Sequence, residues 1–152
     1  MTVIPARPRC QTSAMQFVAG VHVVTKPELA DALDSLPGEG VRLVRLPVGI
    51  QSAAGFFDAV TKVCPLNPPL ERVADSWDAL SDSMFGGLTD LDEARVVIAW
   101  DDPDVLAEGD PEASRIALAI LSGLPDEVAN PEFTAGLTKD LMVLLGAEQR
   151  SS

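Results

Sequence analysis

The chain has 152 residues, 47% hydrophobic and 22% charged, which suits one globular domain able to bury a core without disulfides or metal. Its formal net charge is −12, and 13 acids against two arginines fall between Glu71 and Glu112. That balance argues against nucleic acid or an anionic membrane as a direct ligand, since both call for a basic surface, and no apolar run reaches the length of a membrane span.

Met1–Ala14, with Pro5, Pro8 and no periodicity, reads as a loose tail lacking the apolar region of a signal peptide. Cys10 and Cys64 are too few for a disulfide framework, so the expectation is a cytoplasmic protein with reduced thiols. Residues 15–146 are expected to form the domain and 147–152 a second tail. Val21–Val24 is β-rich. Thr25-Lys26-Pro27-Glu28 has the form of a capping box with proline in the first turn, and Leu29, Ala30, Leu33 and Leu36 carry a helix to the stop at Pro37–Gly40. Val41–Pro47 is a second β-rich run. A helix then starts near Ser52, uses Phe56, Phe57, Val60 and Val63, and stops at Cys64-Pro65. Leu66–Leu70 is a stiff proline loop.

Asp75–Phe85 reads as a short helix ended by Gly86-Gly87. Trp77, Leu80 and Met84 form its apolar stripe. Asp75, Asp78 and Asp82 fall on the other side, with Asp78 and Asp82 neighbours at i,i+4. The face is either a solvated acidic surface over a buried tryptophan or a seat for a cationic partner. Phe85 is the aromatic placed to be partly exposed beside those acids, either a contact residue for a partner or a side chain folded back as a C-terminal helix contact.

Val96–Trp100 is apolar on both alternations, as a parallel strand covered on both faces should be. Asp101-Asp102-Pro103-Asp104 breaks it, and lacks the glycine at the sixth position of a calcium loop. Asp110-Pro111-Glu112 opens a helix through Ala113, Ile116, Ala117, Ile120 and Leu121, which Gly123 and Pro125 end. Asp126–Thr138 is weakly patterned, with room for a helical turn, and Leu141–Leu145 reads as a last buried strand. Strands alternating with helices predict a single-domain α/β fold, with a small, mainly parallel sheet of about four strands covered by helices.

No dinucleotide, phosphate or nucleophile-elbow motif is present. The only histidine, His22, sits in a strand, and no constellation joins it to an acid or a thiol. The residues offer no enzymatic constellation, and no cofactor or metal site is expected.

Ser76-Trp77-Asp78-Ala79-Leu80-x-Asp82-x-Met84 resembles the barstar motif Asn-[Trp/Leu]-Asp-Ala-Leu-x-Asp-x-Leu. The order of elements from Val41 to Gly146 is similar too, and the added strand–helix unit at Val21–Leu36 resembles the longer barstar-like proteins of bacteria. Ser76 replaces the motif asparagine, and Ser81 stands where an aromatic is expected between the acids. The resemblance implies an intracellular inhibitor or immunity protein for a basic, secreted ribonuclease or nuclease toxin. By position it makes Asp82 the acid that enters the nuclease active site, Asp78 the second acidic contact, and Phe85, Gly86 and Gly87 the helix-end contacts. The alternative is a protein-interaction module of the same fold that no longer inhibits a nuclease.

Overall fold

The computed structural model describes residues 18–36, 40–67 and 76–147. The proposed tail at Met1–Ala14, Cys10, the helix stop at Pro37–Glu39, most of the loop before Ser76, Asp75, and residues beyond Ala147 lie outside the described residues. Four strands are present, β1 (Gly20–Thr25), β2 (Val41–Leu46), β3 (Arg95–Trp100) and β4 (Asp140–Ala147). They form one sheet in the order β1-β4-β3-β2, with every pairing parallel. The apolar strands predicted from Val96–Trp100 and Leu141–Leu145 are the two central ones, and from Val96 and Leu141 they are buried on both faces, as central parallel strands should be. The last strand runs on to Ala147, which pairs with Thr25, so Ala147 belongs to the sheet and not to a tail.

The two faces are covered unequally. On one, Val44, Leu46, Val96, Ile98, Trp100, Leu141, Val143 and Leu145 meet α2 (Ala53–Val63), α3 (Trp77–Thr89), α4 (Pro103–Gly109) and α5 (Pro111–Val128). On the other, Val24, Val97, Ala99, Met142 and Leu144 are covered by α1 (Lys26–Asp34) through Leu29 and Ala32. The capping box that starts α1 is formed: Glu28 N–H donates to Thr25 Oγ1 at 3.2 Å, and Thr25 N–H to Glu28 Oε1 at 2.8 Å. Ser52 caps α2 through Gly55 N–H, and Asp110 caps α5 through Ala113 N–H. Cys64 closes α2 in the core, where burial pushes its thiol up to about 12. His22 Nε2 bonds the carbonyl of Val18 at 2.8 Å, a local structural contact.

One helix cannot blanket four strands, so Leu43 and Arg45 at the β2 edge stay exposed. Arg45 there makes a two-pronged ion pair with Asp101, just past β3: Nε lies 2.9 Å from Oδ1 and Nη2 2.6 Å from Oδ2. The guanidinium holds the Asp101 carboxyl below the usual carboxylate range. A lowered folded-state pKa contributes stability above the unfolded value of about 4, and that contribution disappears as pH falls through the folded one. Arg45 is half exposed, so the pair is worth at most about 1 kcal/mol. Asp101→Asn should therefore cost up to about 1 kcal/mol in urea unfolding at pH 7 and almost nothing near pH 2. An equal cost at both pH values would show that the charge is not what matters.

Three further boundaries differ from the sequence reading. α3 continues through Gly86 and Gly87 to Thr89, with Asp90 as its C-cap. α5 continues through Gly123 and Pro125 to Val128. An interior proline forfeits a helix bond and costs about 3 kcal/mol, but Leu124, Pro125 and Val128 are all buried here, and their burial offsets that cost. Lastly, Asp101–Asp104 does more than break a strand. Asp102 stands at the N-cap position and Pro103 in the first turn of α4, while Asp102 Oδ2 accepts from Gly49 N–H at 3.1 Å. The weakly patterned segment after α5 contains the helical turn the sequence left room for, α6 (Pro131–Thr134).

Candidate acidic docking face

Ser76 opens α3, its hydroxyl accepting from Ala79 N–H at 3.2 Å. Serine and asparagine cap helices about equally well, so the departure from the motif at this position leaves the cap intact. Leu80, Met84 and Leu88 are buried in the larger core. Trp77 is only half buried. Its ring stands edge-on to Phe57 at 4.8 Å and tilted against Phe56 at 5.9 Å, and Phe56 in turn packs on Trp100 at 5.3 Å. The tryptophan therefore ties the first turn of α3 to α2 and the sheet while keeping one side in solvent.

That anchoring turns Asp78 and Asp82 outward, and both are exposed. Asp78 lies in the first turn, where the helix N-terminus favours a negative charge. Among the described residues no cation pairs with either acid. Arg45 is held by Asp101, Arg42 by Glu93, Lys62 by Asp58 and Arg115 by Glu112. Lys139 is buried, its ammonium donating to the carbonyls of Leu91 and Glu93.

The glycine pair has a different place from a helix end. A Cβ on Gly87 would overlap the carbonyl oxygen of Pro65 and lie 2.6 Å from Leu66 N; one on Gly86 would overlap the carbonyl oxygen of Asn67. Only glycine lets the 65–67 segment lie this close to α3. Asn67 fastens it there, donating from its backbone to Ser83 O at 3.0 Å and from its amide to Asp90. Gly87 is buried beneath this segment and Gly86 half buried, so both serve to hold residues 65–67 against the helix.

Two adjoining hollows lie between α3 and α5–α6. The first, about 260 Å³, has Trp77, Asp78 and Ser81 on one side and Ile116, Ile120, Gly123 and Glu127 among its residues on the other. The second, about 350 Å³, is lined by Asp82, Phe85, Glu127 and Phe133. Ser81 borders the first, so the absence of an aromatic there leaves space between the helices. Glu127 borders both and adds a third carboxylate to the face. Sequence reasoning missed it and Phe133, since both fall in the weakly patterned stretch after Pro125. Gly123 is unlike Gly86 and Gly87: a Cβ there would meet only Glu127 Oε2, at 3.7 Å. Gly123→Ala should raise stability by about 0.5–1 kcal/mol in thermal or urea unfolding, through helix propensity. A destabilised variant would mean that α5 packs more tightly at this point than the structure shows.

The family model described as Barstar (barnase inhibitor) matches residues 41–138, well over half of the chain. The chain belongs to the barstar family. Searches of curated proteins and of solved structures returned no match. The barstar match begins at β2 and ends just before β4, so β1 and α1 lie outside it. β4 also lies outside it, yet sits in the sheet between β3 and β1. The family is one of ribonuclease inhibitors rather than enzymes, and its partners are proteins of the barnase kind. Within the barstar motif, Asp78 and Asp82 stand on the open side of α3, and Phe85 borders the second hollow beside Asp82. Asp75 lies outside the described residues.

Proposed function

We propose that this chain is an intracellular inhibitor, or immunity protein, of a basic ribonuclease or other nuclease toxin, and that α3 is the element it lays into the enzyme's cationic cleft. The observation that carries this reading is the state of Asp78 and Asp82: exposed, one helical turn apart, on a helix anchored by Trp77, and without a cationic partner among the described residues. A nuclease site that holds RNA phosphates presents arginine, lysine and histidine, and two carboxylates on a rigid helix complement such a site. The concentration of acids between Glu71 and Glu112 would steer a basic enzyme toward the same face. The reading places the protein in the cytoplasm of the cell that makes the nuclease.

The test is inhibition of RNA cleavage, with barnase as first probe and any nuclease encoded beside this gene as second. Expected are stoichiometric inhibition and an association rate that falls steeply as salt rises toward a Debye length of about 8 Å. If neither nuclease is inhibited, and the native cytoplasm yields a partner unrelated to nucleases, the family fold serves another protein–protein contact here.

A further inference from the structure

Phe133 stands on α6, outside the motif helix, and 59% of it is exposed. A lone exposed phenylalanine is common and carries no meaning by itself. This one borders the hollow shared with Asp82, Glu127 and Phe85. No cation pairs with Asp82 or Glu127 among the described residues.

The segment that presents the ring is fastened at both ends. Asn130 caps α6, its side chain accepting from Glu132 N–H at 2.8 Å, while Thr134 Oγ1 donates back to Asn130 O at 3.0 Å. Gly136 N–H donates to Pro131 O and Leu137 N–H to Thr134 O, both at 3.0 Å. Ala135, at φ 55°, adopts the left-handed conformation that alanine avoids. Lys139 then closes the turn, its backbone donating to Val128 O at 2.8 Å and its buried ammonium to the carbonyls of Leu91 and Glu93. An aromatic held on so well-tied a turn loses little freedom on binding.

We infer that Phe133 is a partner-contact residue, and that the hollow it borders receives one arginine side chain of a protein partner. The guanidinium would lie against the Phe133 ring as a cation–π contact and donate its hydrogen bonds to the carboxylates of Asp82 and Glu127. The aromatic contribution that the motif helix lacks at Ser81 is then supplied from α6. Charge decides the occupant: two unpaired carboxylates reject an acidic or purely apolar side chain, and an aromatic wall favours planar guanidinium over ammonium. This inference rests on the reading of α3 as a docking face, but not on the partner being a nuclease.

The experiment is an NMR titration of the full chain with the capped dipeptide acetyl-Arg-Arg-amide, and with its neutral citrulline counterpart. Expected are saturable shifts of the Phe133 ring and of the Asp82, Phe85 and Glu127 amides with the arginine peptide, and none with citrulline. Phe133→Leu keeps the apolar bulk and should weaken binding about three-fold, as should Glu127→Gln. The inference is overturned if the shifts do not saturate, if citrulline produces the same shifts, or if Phe133→Leu binds as tightly as the parent. The inhibition assay answers the separate question: saturable arginine binding without inhibition of any nuclease leaves the hollow standing and removes the nuclease reading.

Discussion

Replacing Gly87 with alanine is expected to cost about 2–3 kcal/mol and to detach the 65–67 segment from α3. On an exposed helix the same change would add about 1 kcal/mol of stability, because glycine is the poorer helix former. The sign reverses because the new Cβ would fall on the carbonyl of Pro65 and within 2.6 Å of Leu66 N, both of them backbone and unable to swing aside as a side-chain tip could. Either the segment lifts or the helix shifts against Leu80, Met84 and Leu88, which are all buried. Urea unfolding reads the energy. Hydrogen exchange reads the mechanism, since the Asn67 amide is protected by its bond to Ser83 O and should exchange much faster once the segment lifts. Gly123→Ala is the control on an ordinary helical glycine. If both alanine variants were stabilised alike, the close approach at Gly87 would be refuted.

The same pair shows where the sequence was legible. Two adjacent glycines after an apolar stripe are a sound local signal for a helix end. What overrides it is a crossing segment some twenty residues earlier in the chain, and no local pattern records that contact. Pro125 is the same kind of case, a reliable stop outweighed by burial of Leu124 and Val128 on either side of it. α4 differs, because Asp102-Pro103 repeats the Asp-Pro start read correctly at Asp110-Pro111, yet only a short helix follows. The strands were plain because β3 and β4 are buried on both faces and must be apolar throughout. The acids of α3 were plain because spacing within one helix fixes its faces. Glu127 and Phe133 were not, since they join the site only by the packing of α5 and α6 beside α3. A glutamate one turn beyond Gly123, on the side of α5 that Ile116 and Ile120 share, was the nearest thing to a sign.

Asp82→Ala should weaken the inhibitor–nuclease complex by at least about 2 kcal/mol, roughly 30-fold in Kd, with Asp78→Ala the smaller loss. Barstar itself supplies the upper end of the range known for such acidic contacts, well above this figure. The ordering follows from position. Asp82 lies beside Phe85, Glu127 and Phe133, where a partner's side chain would exclude water, whereas Asp78 lies nearer the open N-terminal end of the helix. A desolvated pair loses far more on truncation than a rim pair, because the partner's charge is left buried and unmatched. The kinetics should divide in the same way: Asp82→Ala acts mainly on dissociation, and Asp78→Ala mainly on association and its salt dependence. Asp58→Ala is the control, an exposed acid on α2 already paired with Lys62 at 3.2 Å and bordering neither hollow, and it should leave Kd within about two-fold of the parent. Stopped-flow measurement of both rates for the three variants separates the possibilities. If Asp82→Ala binds no worse than Asp58→Ala, the α3 acids are solvated surface after all, and the partner is held by another face of the protein.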